Sequence, residues 1–597
     1  MIRSPQRVAR IAAVLVTCGL VATAAPAWGQ ESIFDPENPG MQESPGEDEE
    51  EAGQDEQEDS DDDEEPADSM IIVDPERPAL PHEEDDDDEG EDEDGEKGDP
   101  VVVETPRSPG FQDTQWGLNY EVGTLLDPRF GPEGRHQVEW VGALEMSLRH
   151  NLSNRSRAVV SGRFQYWAGN GREDAQQWQS LYEARLRRAY FRHRRDEWSF
   201  AFGKMRNSWG STDIVRPGDV IDPVDLRDPL ASDGFGTGLG QLSATAAYRS
   251  EDWTLRAVLV PFFRENEISL VGRDTSLVHQ QSPGAGGQLP MLFFAEQFFG
   301  SYVDQQRQSL LVPAQRPQGV PKNASAGLRS TWTVSGTDLG LGAFFGWDRT
   351  PYTEMDDDLR GLLELMMADG QVMQDFDFEA FIARTPEAEQ RLETVSQRTA
   401  MGQPVVDAQY RRRATFLADM ARYLGPIGVR ADVAFSPRQV FFTQSFQSVR
   451  RPSLFAALGV SHERLLDGVR PLAVTLEGFW LHPFGADSAI SRAMVSDEER
   501  GDSEDEILLF EDGFYGVAAA LNWATGWRGW EVVAGGMASI EPGDFIGRFA
   551  LEKSWRPELR TTVGMNLFFG PEPQHRLTPG GYWAHNDRVY LGVSGRF

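Results

Sequence analysis

The chain has one cysteine, Cys18, among 597 residues. If the segment carrying it is removed, the remaining protein has no thiol. That excludes disulfides, Cys-ligated zinc and thiol catalysis. The nine histidines are scattered and show no metal-ligand spacing. Beyond the first thirty residues no apolar run approaches the roughly 20 residues of a membrane-spanning helix, and mean hydropathy is that of a water-soluble chain. Positive charge is also scarce: 56 Lys and Arg face 96 Asp and Glu, a net charge of −40, which offers nothing to nucleic acid. Enzyme signatures are missing as well. Gly234, Gly236, Gly238 and Gly240 place glycine at every second position, which is not a phosphate loop, and Gly592-Val593-Ser594-Gly595 lacks the spacing of a nucleophile elbow. His136, His150 and His585, near candidate strands, are the remaining basis for a hydrolase, which stays as an alternative.

What is present divides into three parts. Arg3, Arg7 and Arg10 precede an apolar run from Ile11 to Ala25, followed by Ala25-Pro26-Ala27. This reads as a secretory signal peptide over residues 1–29, cut after Ala27 or Gly29; the run is short for an anchor. Leu15-Val16-Thr17-Cys18 loosely resembles a lipoprotein box, with a poor Thr before the Cys. Residues 30–110 form an acidic tail. Between Glu31 and Arg107 stand 35 acidic and 3 basic residues, a net −32, whereas the chain from Ser108 onward is only −11. Runs such as Asp85 to Asp88 repel one another and bury nothing, so the tail is expected to be disordered. It serves either as a solvated spacer or as the docking segment for cations or a basic periplasmic partner. Its apolar islands, Ile71-Ile72-Val73 and Val101-Val102-Val103, have the character of strand-addition motifs.

From residue 111 the pattern is β. Val138, Trp140, Gly142, Leu144, Met146 and Leu148 share one face and Glu139, Glu145, Ser147 and Arg149 the other. Ala158, Val160, Phe164 and Tyr166 likewise oppose Arg157, Ser161, Arg163 and Gln165. Period-two alternation over segments longer than the usual five or six residues suits a strand crossing a bilayer at a tilt. Trp116, Tyr166, Trp167, Trp253, Tyr423, Trp480 and Trp555 lie near strand ends, as interfacial girdles require. Eighteen candidate strands can be placed, with sixteen as the alternative count, and the links between them mostly alternate long and short. The exception is Glu541–Gly543, short where a long link is due. The expected fold is all-β: a closed antiparallel transmembrane β-barrel with long outer loops containing short helices. Asp357–Met373 reads as a helix with an apolar stripe of Leu359, Leu362, Leu363, Met366 and Met367, and Met291–Phe299 is a second apolar patch. Both read as loop packing, a plug, or a greasy substrate entrance.

The final segment from Arg588 alternates Val589, Leu591 and Val593 with Arg588, Tyr590 and Gly592 and ends on Phe597. It resembles the closing strand of Gram-negative outer-membrane β-barrels. That resemblance implies that Phe597 is part of the signal read by the barrel-assembly machinery. Trp209-Gly210-Ser211-Thr212-Asp213 leads into a segment with Pro217, Pro223 and Pro229 six apart and Asp219, Asp222, Asp225 and Asp228 three apart. Proline at that density forbids a helix or central strand, so this is a stiff loop on the outer side, open to folding inward. A Trp-Gly followed by Asp and Pro repeats after an early strand resembles a group of proteobacterial porin-like barrels. The aspartates suit either a ring at a constriction or Ca²⁺ coordination by Asp219, Asp222 and Asp225, with plain turn chemistry as the bland reading.

The other candidate site is the lumen face, where Arg157, Arg163, Arg185, Arg187, Arg256, Arg411, Arg413, Arg548 and Arg560 outnumber the acids Glu139, Glu145, Glu183, Asp419, Glu477 and Glu552. An excess of arginine favours anions in a wide pore. The expected protein is an outer-membrane channel for passive or facilitated passage of small molecules, not an enzyme, with no cofactor beyond that structural Ca²⁺. The alternative is a plugged barrel that binds a partner or passes a hydrophobic substrate. Its expected surroundings are outer-membrane lipid and lipopolysaccharide, with the tail and both termini in the periplasm. Oligomeric state is left open.

Overall fold

The computed structural model describes residues 114–126, 138–169, 179–225, 238–267, 317–319, 321–368, 378–401, 403, 406–442, 448–466, 470–500, 513–541, 543–570 and 587–596. Residues 1–29, read as a signal peptide, the acidic segment 30–110, the patch at 291–299, Asp228 and Phe597 lie outside them. Eighteen strands pair antiparallel, each with its neighbour in the chain: β1 (Thr114–Leu126), β2 (Val138–Ser153), β3 (Ser156–Gly169), β4 (Gln179–Arg195), β5 (Trp198–Met205), β6 (Gln241–Arg249), β7 (Trp253–Val260), β8 (Ser325–Val334), β9 (Thr337–Trp347), β12 (Arg412–Leu424), β13 (Ile427–Phe442), β14 (Ser448–Leu466), β15 (Arg470–Pro483), β16 (Phe514–Ala524), β17 (Trp530–Glu541), β18 (Asp544–Arg556), β19 (Leu559–Phe569) and β20 (Arg588–Arg596). The ladder closes where β20 returns to β1, with Asn119 opposite Arg596 and Leu126 opposite Val589. Closure removes both sheet edges, as lipid demands.

The alternating sequence sorts the side chains. Val160, Phe202, Leu341, Phe416, Leu458 and Leu591 stand on the outer surface, each with about half of its area exposed. An apolar belt of this extent belongs in hydrocarbon. Trp116, Trp198, Trp253, Tyr423 and Trp555 ring the short-turn end, and Trp140, Tyr182, Trp480 and Tyr515 the opposite end, all exposed. Trp167, expected among the girdle residues, has the inward parity of Arg163 and Gln165.

The short turns are built from residues that tolerate positive φ. Ser335 and Gly336 both take it between β8 and β9, and Gly425 takes φ 62 ahead of Pro426. Two-residue turns of the mirror-image types match the twist of the paired strands. At the other end the links are long, except those between β13 and β14 and between β17 and β18. The second is the break in parity at Glu541–Gly543.

Between β9 and β12 the chain leaves the wall. β10 (Tyr352–Met355) and β11 (Val406–Gln409) form a separate two-stranded ladder that carries α1 (Asp357–Ala368), α2 (Phe378–Arg384) and α3 (Pro386–Ala400). Leu359, Leu362, Phe381, Ala388 and Val395 are buried among these helices, and Arg391 pairs with Glu387 at 3.0 Å and Asp358 at 3.5 Å. The expected helix from Asp357 is therefore present to Ala368. The β10–β11 ladder is new, and it moves the start of β12 to Arg412. Two further short helices, α4 (Ala489–Met494) and α5 (Asp497–Arg500), lie between β15 and β16.

Candidate functional site

The loop after β5 turns into the lumen. Trp209, Val215 and Ile221 are almost wholly buried. They form one apolar cluster with Leu417, Ala434, Phe455, Phe479, Met537 and Ile546 on the inner wall. Burying a side chain of this size contributes about 1.5–3 kcal/mol, which offsets the entropy of ordering an irregular segment. Trp209 meets Phe344 edge-on at 6.5 Å between ring centroids. Gly210, at φ 109, lies against the Asp432 carboxylate where a Cβ would collide with it. That explains the Trp-Gly pair: the indole fills the lumen and the glycine admits the wall carboxylate.

Three wall carboxylates seat the loop. Asp432 on β13 accepts the Ser211 amide at 2.7 Å, the Thr212 amide at 3.3 Å and the Thr212 hydroxyl at 2.6 Å. Glu477 on β15 accepts the amides of Asp213 at 2.6 Å, Ile214 at 3.1 Å and Val215 at 2.6 Å. Asp419 on β12 accepts the Ser211 hydroxyl at 2.8 Å and is paired with Arg329 at 2.6 Å. Asp213 pairs with Arg430. The loop thus offers consecutive backbone N–H groups, and the wall supplies the anions that satisfy them.

At the base of the loop Asp222 accepts the Asn207 amide and, at 3.1 Å, the Gln241 side-chain amide. Burial pushes its pKa up to about 7, with Asp219 adding to the effect. Arg349 donates to the carbonyls of Ile221 and Arg264, and burial lowers its pKa to about 10. Asp225 pairs with Arg185 at 3.0 Å, and Arg185 also holds Glu183 and Glu267. Asp219 stands 3.9 Å from Arg206. The three-residue spacing of these aspartates therefore sends Asp219, Asp222 and Asp225 to three separate partners. Among the described residues no group of three His, Cys, Asp or Glu side chains is placed to hold a metal ion.

The filling is lopsided. Inward residues of β13 to β16, such as Asp432, Phe455, Glu477 and Ala518, are buried, whereas those of β1, β2, β4 and β20 mostly stay partly exposed; on β3, Val159, Ser161 and Arg163 are buried. Arg157 and Arg163 both have inward parity on β3, Arg157 partly exposed and Arg163 buried, and Arg163 stands 4.0 Å from Glu121. Arg187 pairs with Glu145 at 2.7 Å, and Arg588 approaches Glu139 at 3.5 Å. Arg548 lies over the Tyr590 ring and donates to its hydroxyl at 2.7 Å. Arg560 pairs with Glu552 at 2.6 Å. Arg256 and Arg329 face each other across β7 and β8. Arg413 is 3.7 Å from Asp348. Arg411 precedes β12, beside Glu354 and Tyr352 of β10, away from the wall proper.

Sequence alternation alone does not single out several inward charged residues: Asp432, Arg430, Arg329, Arg188 and Arg192. The first two follow the alternation Arg430, Asp432, Ala434, Ser436, which marks their face but not their partners. Arg188 and Arg192 were hidden by a bulge: Ser161 pairs with Arg188 and Gly162 with Leu186, so the inward parity of β4 shifts at Arg187.

The closed ladder, apolar belt and aromatic rims define a transmembrane β-barrel of the outer-membrane type. No family model and no curated protein sequence matches the chain. Solved structures similar to it include OccAB3 of Acinetobacter baumannii, 7% identical, covering 81% of this chain and 99% of that one with a TM-score of 0.38. OpdK of Pseudomonas aeruginosa with vanillate is 9% identical over 81% and 99%, with a TM-score of 0.36. OmpF of Salmonella typhi in complex with daunomycin is 7% identical over 81% and 97%, with a TM-score of 0.34. The class rests on this chain's own ladder and belt.

Proposed function

We propose that the protein is a diffusion channel of the outer membrane for small polar solutes, with a preference for anions. The carrying observation is the seating of residues 209–215 across the lumen on Asp432 and Glu477, which narrows the barrel on the β12 to β16 side and leaves the arginine-bearing β1 to β4 wall beside it. Eighteen strands enclose room for water unless something fills it. The aspartates of the loop join this reading as charges near the constriction, with Asp225 and Glu267 opposite Arg185. The long links face the cell exterior, and the acidic tail and both termini face the periplasm.

Planar-bilayer recording tests this. The wild type should conduct, and neutralising Arg157 and Arg163 together with Arg413 (each to Gln) should move the reversal potential toward cations. A conducting variant with unmoved selectivity would remove these arginines from the path. The apolar contact between the loop and the β13 to β18 wall favours a second reading, a closed barrel that binds a partner, and absence of any conductance would select it.

A further inference from the structure

We infer that the helical module between β9 and β12 clamps the return limb of the loop after β5, residues 217–225, through one positioning residue on each of its stems, Arg349 and Tyr410. This deepens the channel reading and rests on it, because the loop is the one taken there as the constriction.

The two limbs of the loop have different needs. Residues 211–215 present N–H groups, and wall carboxylates receive them. The return limb starts at Pro217 and holds Pro223, which bar regular strand pairing. Among the described residues its ladder contacts are isolated bridges, Val224 to Gly238 and Asp225 to Glu267. Its carbonyls therefore draw donors from side chains of other segments. Arg349 is one such donor. Its guanidinium donates to the carbonyls of Ile221 and Arg264 and lies 3.3 Å from Gln241 Oε1. The Gln241 amide nitrogen in turn donates to the Ile221 carbonyl at 2.7 Å. A planar fork of fixed donors suits two carbonyls on different segments.

The segment after β7 completes the clamp. Val224 donates its amide to Asn266 Oδ1 at 3.0 Å, and its carbonyl accepts the Glu267 amide at 3.0 Å. Tyr410, directly after β11, holds the same segment from the other side. Its ring centroid is 4.5 Å from that of Phe263, and its hydroxyl donates to Glu265 at 2.8 Å. Residues 263–267 thus lie between the return limb and the second stem.

The stems are themselves tied to the wall and to each other. Asp348 accepts the Thr350 amide at 3.1 Å and the Val440 amide at 3.4 Å, and its own amide donates to the Arg411 carbonyl at 2.8 Å. Just beyond Arg349, Tyr352 opens β10 opposite Gln409, the neighbour of Tyr410. Arg349 and Tyr410 therefore stand at the two feet of one ladder. The clamp ends on charge: Asp225 and Glu267, which it brings side by side, both pair with Arg185 on β4. The position of the module thereby sets where the charges of the constriction stand.

Hydrogen exchange of the folded full chain in detergent, read at single amides, tests this. In Arg349→Gln with Tyr410→Phe, the Val224 and Glu267 amides should lose protection, while those of Ser211, Asp213 and Val215 on Asp432 and Glu477 keep it. Unchanged exchange at Val224 and Glu267, or equal loss from Ser211 to Val215, overturns the clamp. Should the double variant not fold, Tyr410→Phe alone keeps the ring on Phe263 and removes one hydroxyl. It should raise exchange at Glu267, and wild-type exchange there overturns the clamp as well. These readings need no conductance, so the clamp can fail while the channel stands. The double variant should also show a single-channel conductance above wild type. If exchange moves as expected and conductance does not, the clamp stands and the constriction reading falls.

Discussion

Trp209 occupies the space that a side chain on Gly327 would need: its indole Cη2 is 2.6 Å from the position of a Cβ there. Loop and wall are therefore shaped to each other. Gly327→Leu should drive the indole out and unseat residues 209–215, at a cost of about 1–3 kcal/mol from overpacking. Single-channel conductance should rise above wild type. An unchanged conductance with a folded barrel would show that the loop does not limit the passage.

Glu477→Gln exchanges a carboxylate that accepts three loop amides for a group with only one acceptor oxygen. Each buried amide left without a partner costs about 1–3 kcal/mol. The expected result is proteolytic cutting within residues 209–215 at protease levels that leave the wild type intact. Asp432→Asn should act in the same direction, because it too faces N–H and O–H donors. Resistance equal to wild type in both variants would count against the anchoring role.

The buried Asp222 carboxyl gives the loop a pH dependence of definite sign. Its pKa in the folded protein, about 7, lies above the ordinary value of 3.8. Between those values the seated loop holds a proton that a released loop gives up, so seating is strongest below the window and weakens as pH rises through it. Asp219 strengthens this trend, and Arg349 and Arg206 oppose it. Protease resistance of the loop should fall between pH 5 and 8 in the wild type and lose that slope in Asp222→Asn. An equal slope in both would assign the titration elsewhere.

The proposed orientation rests on the alternation of link lengths. In a background lacking Cys18, a cysteine replacing Gln390 on α3 should react with an impermeant maleimide on intact cells, and one replacing Asn154 in the β2–β3 turn only after permeabilisation. The reverse pattern would invert the barrel.

Strand positions were legible because one face meets lipid and the other the lumen, so alternation survives along most of the wall. It fails where both faces are covered. Ser448, Val449, Arg450, Arg451, Pro452 and Ser453 at the start of β14 are all buried. Arg450 there reaches Glu499 of α5 and the Arg412 carbonyl, so no period-two signal remained and the strand begins six residues before Leu454, where alternation resumes. The β10–β11 ladder was missed because four residues cannot display a period. Within the loop, the regular spacing of Asp219, Asp222 and Asp225 suited a constriction ring, a Ca²⁺ site or plain turn chemistry. The fold gives each its own partner because irregular backbone does not preserve spacing as direction. Asp432 and Glu477 look like ordinary lumen acids until the loop amides arrive against them.

The bonds that seat the loop join residues far apart in the chain: Asp213 and Glu477 are separated by 264 positions, and Thr212 and Asp432 by 220. The seated loop is therefore a long-range feature of the closed wall: whichever strands pair first, its amides have their acceptors only once β13 and β15 stand in the wall together with β5 and β6. Anything that displaces β13 or β15 unseats a segment hundreds of residues away in the chain.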